Sequence, residues 1–212
     1  MNAPTRSQNQ RLVAAKLVFE TVHRRLPLVL SSAGIGGLGF VWVQALTGTK
    51  NIAAFVGRRI VETGDYSAAL ESPIGWTVHL TIAVQYALAF AVLLALPVWP
   101  RGGVRRYATQ AVAAVAVGFV ATWIANPAIS VTVSLLGGAG WPETLYPVNT
   151  SLGVPLYNHL AFFTLTLVWV EWLPASVRGW VDRRNVVAAG RPAVRRGAFD
   201  WNLGSLHDAS VV

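Results

Sequence analysis

The run Val154–Leu173, VPLYNHLAFFTLTLVWVEWL, decides the class of this chain. At about 1.5 Å per residue a helix of that length reaches about 30 Å, the thickness of a bilayer's hydrocarbon core. Only Asn158 and His159 near its start and Glu171 near its end interrupt the apolar character. A histidine carried into lipid is costly and reads by default as part of a functional site. The rest of the chain is read for what that histidine can meet.

Composition agrees with a membrane setting. The 212 residues are 54% hydrophobic and only 12% charged, about half the charged fraction of soluble domains. Nine tryptophans suit the interfacial belts of a bilayer. The net charge of +8 sits in the gaps between apolar runs, so it points to headgroups and not to nucleic acid. Without cysteine there is no disulfide framework, thiolate metal site or cysteine nucleophile. The polar start, MNAPTRSQNQRLVAAK, shows no apolar stretch leading to a cleavage site, so the first span is expected to act as its own insertion signal.

Three more apolar runs precede the quoted one. Residues 27–46 contain Gly34, Gly36 and Gly39 in G-x-G-x-x-G spacing. A dinucleotide site needs a strand before that motif, and here it lies mid-span. Close helix packing is the better reading, with Ser32/Gly36 and Ala33/Gly37 as small residues four apart. The second span covers about 74–98 with His79 near its start, and the third about 108–136 with Asn126-Pro127 inside it. The proline frees a carbonyl, which Asn126 is expected to serve. A long loop, 47–73, has room for a short surface helix over Asn51–Val61. Residues 11–26 carry Leu12, Ala15, Phe19, Val22 and Leu26 on one stripe, and read as an amphipathic helix in the membrane surface or a helical extension of the first span.

The expected architecture is all-α: an integral membrane four-helix bundle (27–173) between an N-terminal extension (1–26) and a basic C-terminal tail (174–212). Lysine and arginine orient it. Segments 1–26, 99–107 and 174–212 hold five, three and six, against three in the loop 47–73. Both termini are therefore expected on the cytoplasmic side of a bacterial inner membrane.

With that topology His79 and His159 each lie about 8 Å below the outer edge. Asn126, Asn158 and Gln44 fall in the same outer half, giving one polar layer. Three readings compete. The layer can be a hydrogen-bonded cluster that fixes the bundle. It can ligate one b-type haem or chlorin through His79 and His159, whose nitrogens would then stand about 4 Å apart. It can line a route for a small solute, as in a channel or carrier. No metalloprotease motif or nucleophile elbow is present, and Glu171 between Trp169 and Trp172 reads as an interfacial anchor. No catalytic or metal-binding residue is assigned.

Gly57-Arg58-Arg59, Gly75-Trp76 with His79, and Ser151-Leu152 with His159 resemble the motifs of an uncharacterised family of four-helix bacterial inner-membrane proteins. The likeness covers roughly residues 28–173. It implies that the His79/His159 layer is a family feature, and it implies no activity. The chain departs from that pattern in its extended basic N-terminus, its long tail and Asn126-Pro127. The expected function is a non-catalytic accessory or structural subunit of a larger membrane complex, respiratory or photosynthetic, in contact with the bilayer and other membrane subunits.

Overall fold

The computed structural model describes residues 6–100 and 103–175. The tail expected over 174–212 lies, from residue 176 on, outside the described residues. Among the described residues there are helices and no strands: α1 (Arg6–Arg24), α2 (Leu26–Thr47), α3 (Ile52–Gly64), α4 (Glu71–Ala95), α5 (Gly103–Leu136) and α6 (Val154–Leu167). A 3-10 turn, Ala68–Leu70, leads into α4, and a π-helical turn, Val168–Trp172, continues α6. Three helical stretches are long and apolar enough to cross a membrane: Leu26–Thr47, Ala68–Ala95 and Gly103–Leu136.

Local chemistry sets the helix ends. Pro27 sits in the first turn of α2, where its missing N–H costs nothing. Gly48 ends that helix in the left-handed region at φ 65°. Helix α3 starts where the Asn51 side chain accepts from the Ala53 N–H at 2.8 Å. It ends with Gly64, and Asp65 caps it in the left-handed region (φ 51°). Helix α4 stops at Ala95, short of the expected Val98. Leu96 precedes Pro97, which disfavours the helical conformation there, and Leu96 is extended at ψ 143°. The Trp99 indole then donates to the freed Leu93 carbonyl at 2.9 Å.

Helix α2 packs on α4 and α6, α5 packs on α6, and α3 lies across α4 and α5 at one end. Helices α4 and α5 make no close packing with each other. Antiparallel register between α5 and α6 is marked by Arg106 against Glu171 and Thr122 against His159. The core is built from Phe90, Phe162, Phe163, Leu94 and Leu167, set against Ala83, Ala87, Ala114 and Ala121. Apolar side chains gain little by leaving lipid for a protein interior, so in a membrane such helices hold together through close contact at small residues. Gly36 shows how: a Cβ there would lie 2.6 Å from the Phe162 ring.

Pro127 is accommodated differently from the sequence reading. The carbonyl it frees is that of Trp123, four residues back, and the Asn149 backbone N–H donates to it at 3.3 Å. Asn126 serves the loop instead, its Nδ2 donating to the Pro147 carbonyl at 3.2 Å. Ser130 donates to the Thr144 carbonyl at 3.4 Å and Ser134 to the Gly140 carbonyl at 2.7 Å. Residues 140–149 therefore run antiparallel along one face of α5. At about 1.5 Å per residue α5 is about 50 Å long, far more than a bilayer core, and the returning loop clothes its excess.

Candidate functional site

The side chains with chemical potential gather at the α3 end. Helix α4 brings His79 and Tyr86, α5 brings Asn126, α6 brings Asn158 and His159, and α2 brings Phe40 and Gln44. All line one cavity of about 420 Å³, within the usual size range of small-molecule sites. Its roof is α3, contributing Ile52, Ala53 and Val56, and Lys50 stands at its rim. On the other side Phe162 closes it, backed by Phe163 and Phe90, whose rings meet edge to face at 5.2 Å.

Each polar group has a defined setting. His159 is buried, and its Nδ1 faces the Pro155 carbonyl at 2.8 Å and Thr122 Oγ1 at 3.2 Å. Asn158 is 4% exposed, and its Oδ1 is buried without a hydrogen-bond partner. His79 Nε2 lies beside the Gly37 backbone but forms no well-aligned bond and is unpaired. Gln44 is buried, and its Oε1 accepts from the Ile52 N–H at 3.4 Å, tying the start of α3 to α2. Asn126 reaches the rim through its bond to Pro147.

His79 and His159 share an aromatic neighbour. Phe40 packs edge-on against both, with centroids 5.4 Å from His79 and 5.3 Å from His159. No hydrogen bond or ring contact joins the two imidazoles directly. Ser32, Gly36 and Gly37 are buried on the α2 face that meets α6 and α4.

A second polar cluster stands at the opposite end. Glu171, on the π turn, accepts hydrogen bonds from Arg25 on one carboxylate oxygen and from Arg106 on the other, the latter at 3.1 Å. Glu171 is only 8% exposed. It is thus a buried, doubly paired carboxylate that links the start of α2, the start of α5 and the end of α6, and it corrects the reading of Glu171 as an interfacial anchor. Nearby, Trp169 donates to Ser31 Oγ at 2.9 Å.

Thr122, Arg25 and Arg106 were not singled out from the sequence. The signal for two of them was present. Arg106, Gln110, Ala114, Gly118, Thr122, Asn126, Ser130 and Ser134 recur at intervals of four along α5. That row is an i±4 ridge of small or polar residues. It meets Glu171 at one end, Leu160 and His159 in the middle, and the returning loop at the other end.

Comparison with protein-family models, with curated proteins and with solved structures finds no match for the chain.

Proposed function

We propose that this chain is a non-catalytic four-span protein of the bacterial inner membrane that holds a small amphipathic molecule in its α3-end cavity and serves as an accessory subunit of a larger membrane complex. In this reading α6 and its π turn form the fourth span of a four-helix bundle, and both termini face the cytoplasm. The excess of lysine and arginine in 1–26, 99–107 and 174–212 supports that orientation. The cavity then lies in the outer half of the bilayer with α3 as its outer lid. The likeness to the four-helix inner-membrane family fits the same picture.

The cavity carries the reading. It collects two imidazoles and five carboxamides beneath a dedicated lid, with an apolar floor and no carboxylate or thiol among its described lining residues. Such a site suits binding and orienting a ligand. The floor of Phe162, Phe163 and Phe90 speaks against an open solute route. A haem ligated by His79 and His159 would have to displace Phe40 from its contact with both rings.

The subunit role draws on a different surface. Leu38, Trp42, Val43 and Leu46 of α2, with Leu160, Ala161 and Leu165 of α6, form a shallow apolar groove, and Trp42 and Leu46 are exposed in the single chain. A partner's apolar helix would fit there.

The test is purification in mild detergent, followed by extraction and mass spectrometry of bound small molecules and a visible absorption spectrum. One compound near stoichiometric amount is expected, and Ala125→Trp, which fills the cavity from α5, should remove it. An empty wild-type protein would sink the ligand-holding reading, and a Soret band would replace it with the haem alternative. On native gels the chain should migrate within a larger assembly and should dissociate from it when 174–212 are deleted.

A further inference from the structure

We infer that the cavity recognises a neutral hydroxylated aromatic ring carrying an apolar tail, the chemistry of a membrane hydroquinone. The inference rests on the ligand-holding reading above and names the ligand's class. It starts from the tautomer of His159. The Pro155 carbonyl, 2.8 Å from Nδ1, can only accept. Thr122 Oγ1, at 3.2 Å, has its own proton directed at the Gly118 carbonyl at 2.8 Å, so it too acts as an acceptor toward the ring. Both partners belong to the fold, so Nδ1 holds the proton. Nε2 is left with a bare lone pair on the side of the ring turned away from α5. Asn158 adds a second lone-pair donor, its unpaired buried Oδ1. Neither acceptor has a donor hydrogen-bonded to it, and two such acceptors suit a ligand that brings hydroxyl protons.

The walls specify the rest. Phe40, Tyr86 and Phe162 offer ring edges and faces, with Tyr86 6.0 Å from the His159 centroid and 6.1 Å from Phe162. A flat ring fits among them through offset and edge contacts. The only charged lining residue is Lys50 at the rim, so the buried part of the ligand is neutral. Between α4 and α5 there is no close helix packing, and the cavity wall there is Ile82, Gln85, Ile124 and Ala128. Gln85, Ile124 and Ala128 are also exposed at the surface, so the wall is thin and side-chain deep. A ligand can enter sideways from lipid through it and leave its tail outside.

The probes are 2-decyl-1,4-hydroquinone, its dimethyl ether and decanol, added to full-length protein in lipid nanodiscs. Binding is read by thermal shift and by ¹⁵N resonances of labelled histidine. The hydroquinone should bind saturably, at least tenfold more tightly than its dimethyl ether or decanol. One histidine should show the Nδ1–H tautomer before addition and a shift at Nε2 after it. His159→Phe, which keeps a ring in place, and Asn158→Leu should each weaken the hydroquinone about tenfold without changing binding of the ether. Equal affinity for hydroquinone and ether overturns hydroxyl recognition. So does an Nε2–H tautomer of His159 in the free protein. If no probe binds while extraction yields a bound compound, the ligand class alone is wrong. If the extract is also empty, the reading beneath it fails as well.

Discussion

Gly57 on α3 and Gly75 on α4 meet with no room for a side chain on either. A Cβ on Gly57 would overlap the Glu71 carbonyl oxygen and crowd the Gly75 backbone at 2.9 Å, and a Cβ on Gly75 would overlap the Ala53 carbonyl oxygen. This crossing seats the lid on the cavity. Both glycines belong to motifs singled out in the sequence, Gly57-Arg58-Arg59 and Gly75-Trp76-x-x-His79.

Alanine at either position is expected to loosen the lid. The obstacle is backbone, which cannot swing away as a side chain does, so the overpacking cost of about 1–3 kcal/mol outweighs the roughly 0.5–1 kcal/mol that alanine gains in helix propensity. Gly57→Ala and Gly75→Ala should lower the thermal midpoint and expose 47–73 to protease. Gly34 has open space around it, so Gly34→Ala should be neutral or slightly stabilising. Equal behaviour of all three variants would refute the crossing.

Removing the Glu171 charge should unfasten the opposite end. Breaking a fully buried ion pair costs about 3–5 kcal/mol, but Arg25 and Arg106 are 31% and 36% exposed. Water screens them, and Glu171→Gln is expected to cost about 1–3 kcal/mol. Thermal unfolding in detergent gives the loss. A double-mutant cycle with Arg106→Met should show coupling, and strict additivity would mean that the contact contributes nothing.

The clasp on α5 predicts a rescue. Asn149→Pro removes the N–H that serves the Trp123 carbonyl, and losing that hydrogen bond should cost about 0.5–1.5 kcal/mol. Pro127→Ala restores a donor within α5, so the double variant should recover most of the loss. Hydrogen exchange across 140–149 should quicken in Asn149→Pro. If Pro127→Ala does not rescue it, the loop is not repairing the proline.

Lid stability should carry a weak acid dependence. Arg58 Nε donates to Glu62 at 2.7 Å, and that bond, against an opposing desolvation and aided by the Arg58 and Arg59 charges, holds the Glu62 carboxyl below its ordinary value of 4.5. With the folded value lowered, the contribution is fully present above about 4.5 and is lost as pH falls through the folded value. The pair is fully exposed, so the effect is small and salt-sensitive. Protease cutting within 52–64 should rise on acidification in the wild type and less so in Glu62→Gln. Identical acid profiles would count against the pair.

Helical class and membrane-scale apolar runs were legible because they are local, written in about twenty consecutive residues at a time. Counting along the apolar runs put His79 and His159 at one expected level, and both line the cavity. What the sequence hid was contact between distant segments. Arg25 and Glu171 are 146 positions apart, and Arg106 and Glu171 are 65 apart, so nothing local marks them as partners. Asn126 was matched to its neighbour's freed carbonyl because proximity in sequence favours that choice, yet the loop supplied a backbone donor and took the side chain for itself. Phe40 was one apolar residue among many. Only the packing of α2 against both α4 and α6 sets it against two imidazoles.

The returning loop on α5 also bears on how the protein is made. When the ribosome has completed residue 136, α5 exists in full, but the Trp123 carbonyl has no donor anywhere in the chain synthesised so far. Asn149 must still be translated. At about 5–20 residues per second that leaves a delay of roughly 0.7–3 s. For that interval the nascent helix carries an unmet acceptor at its bend, which water or the insertion machinery has to satisfy. The third span can therefore settle into its final place only after the segment that follows it has been built.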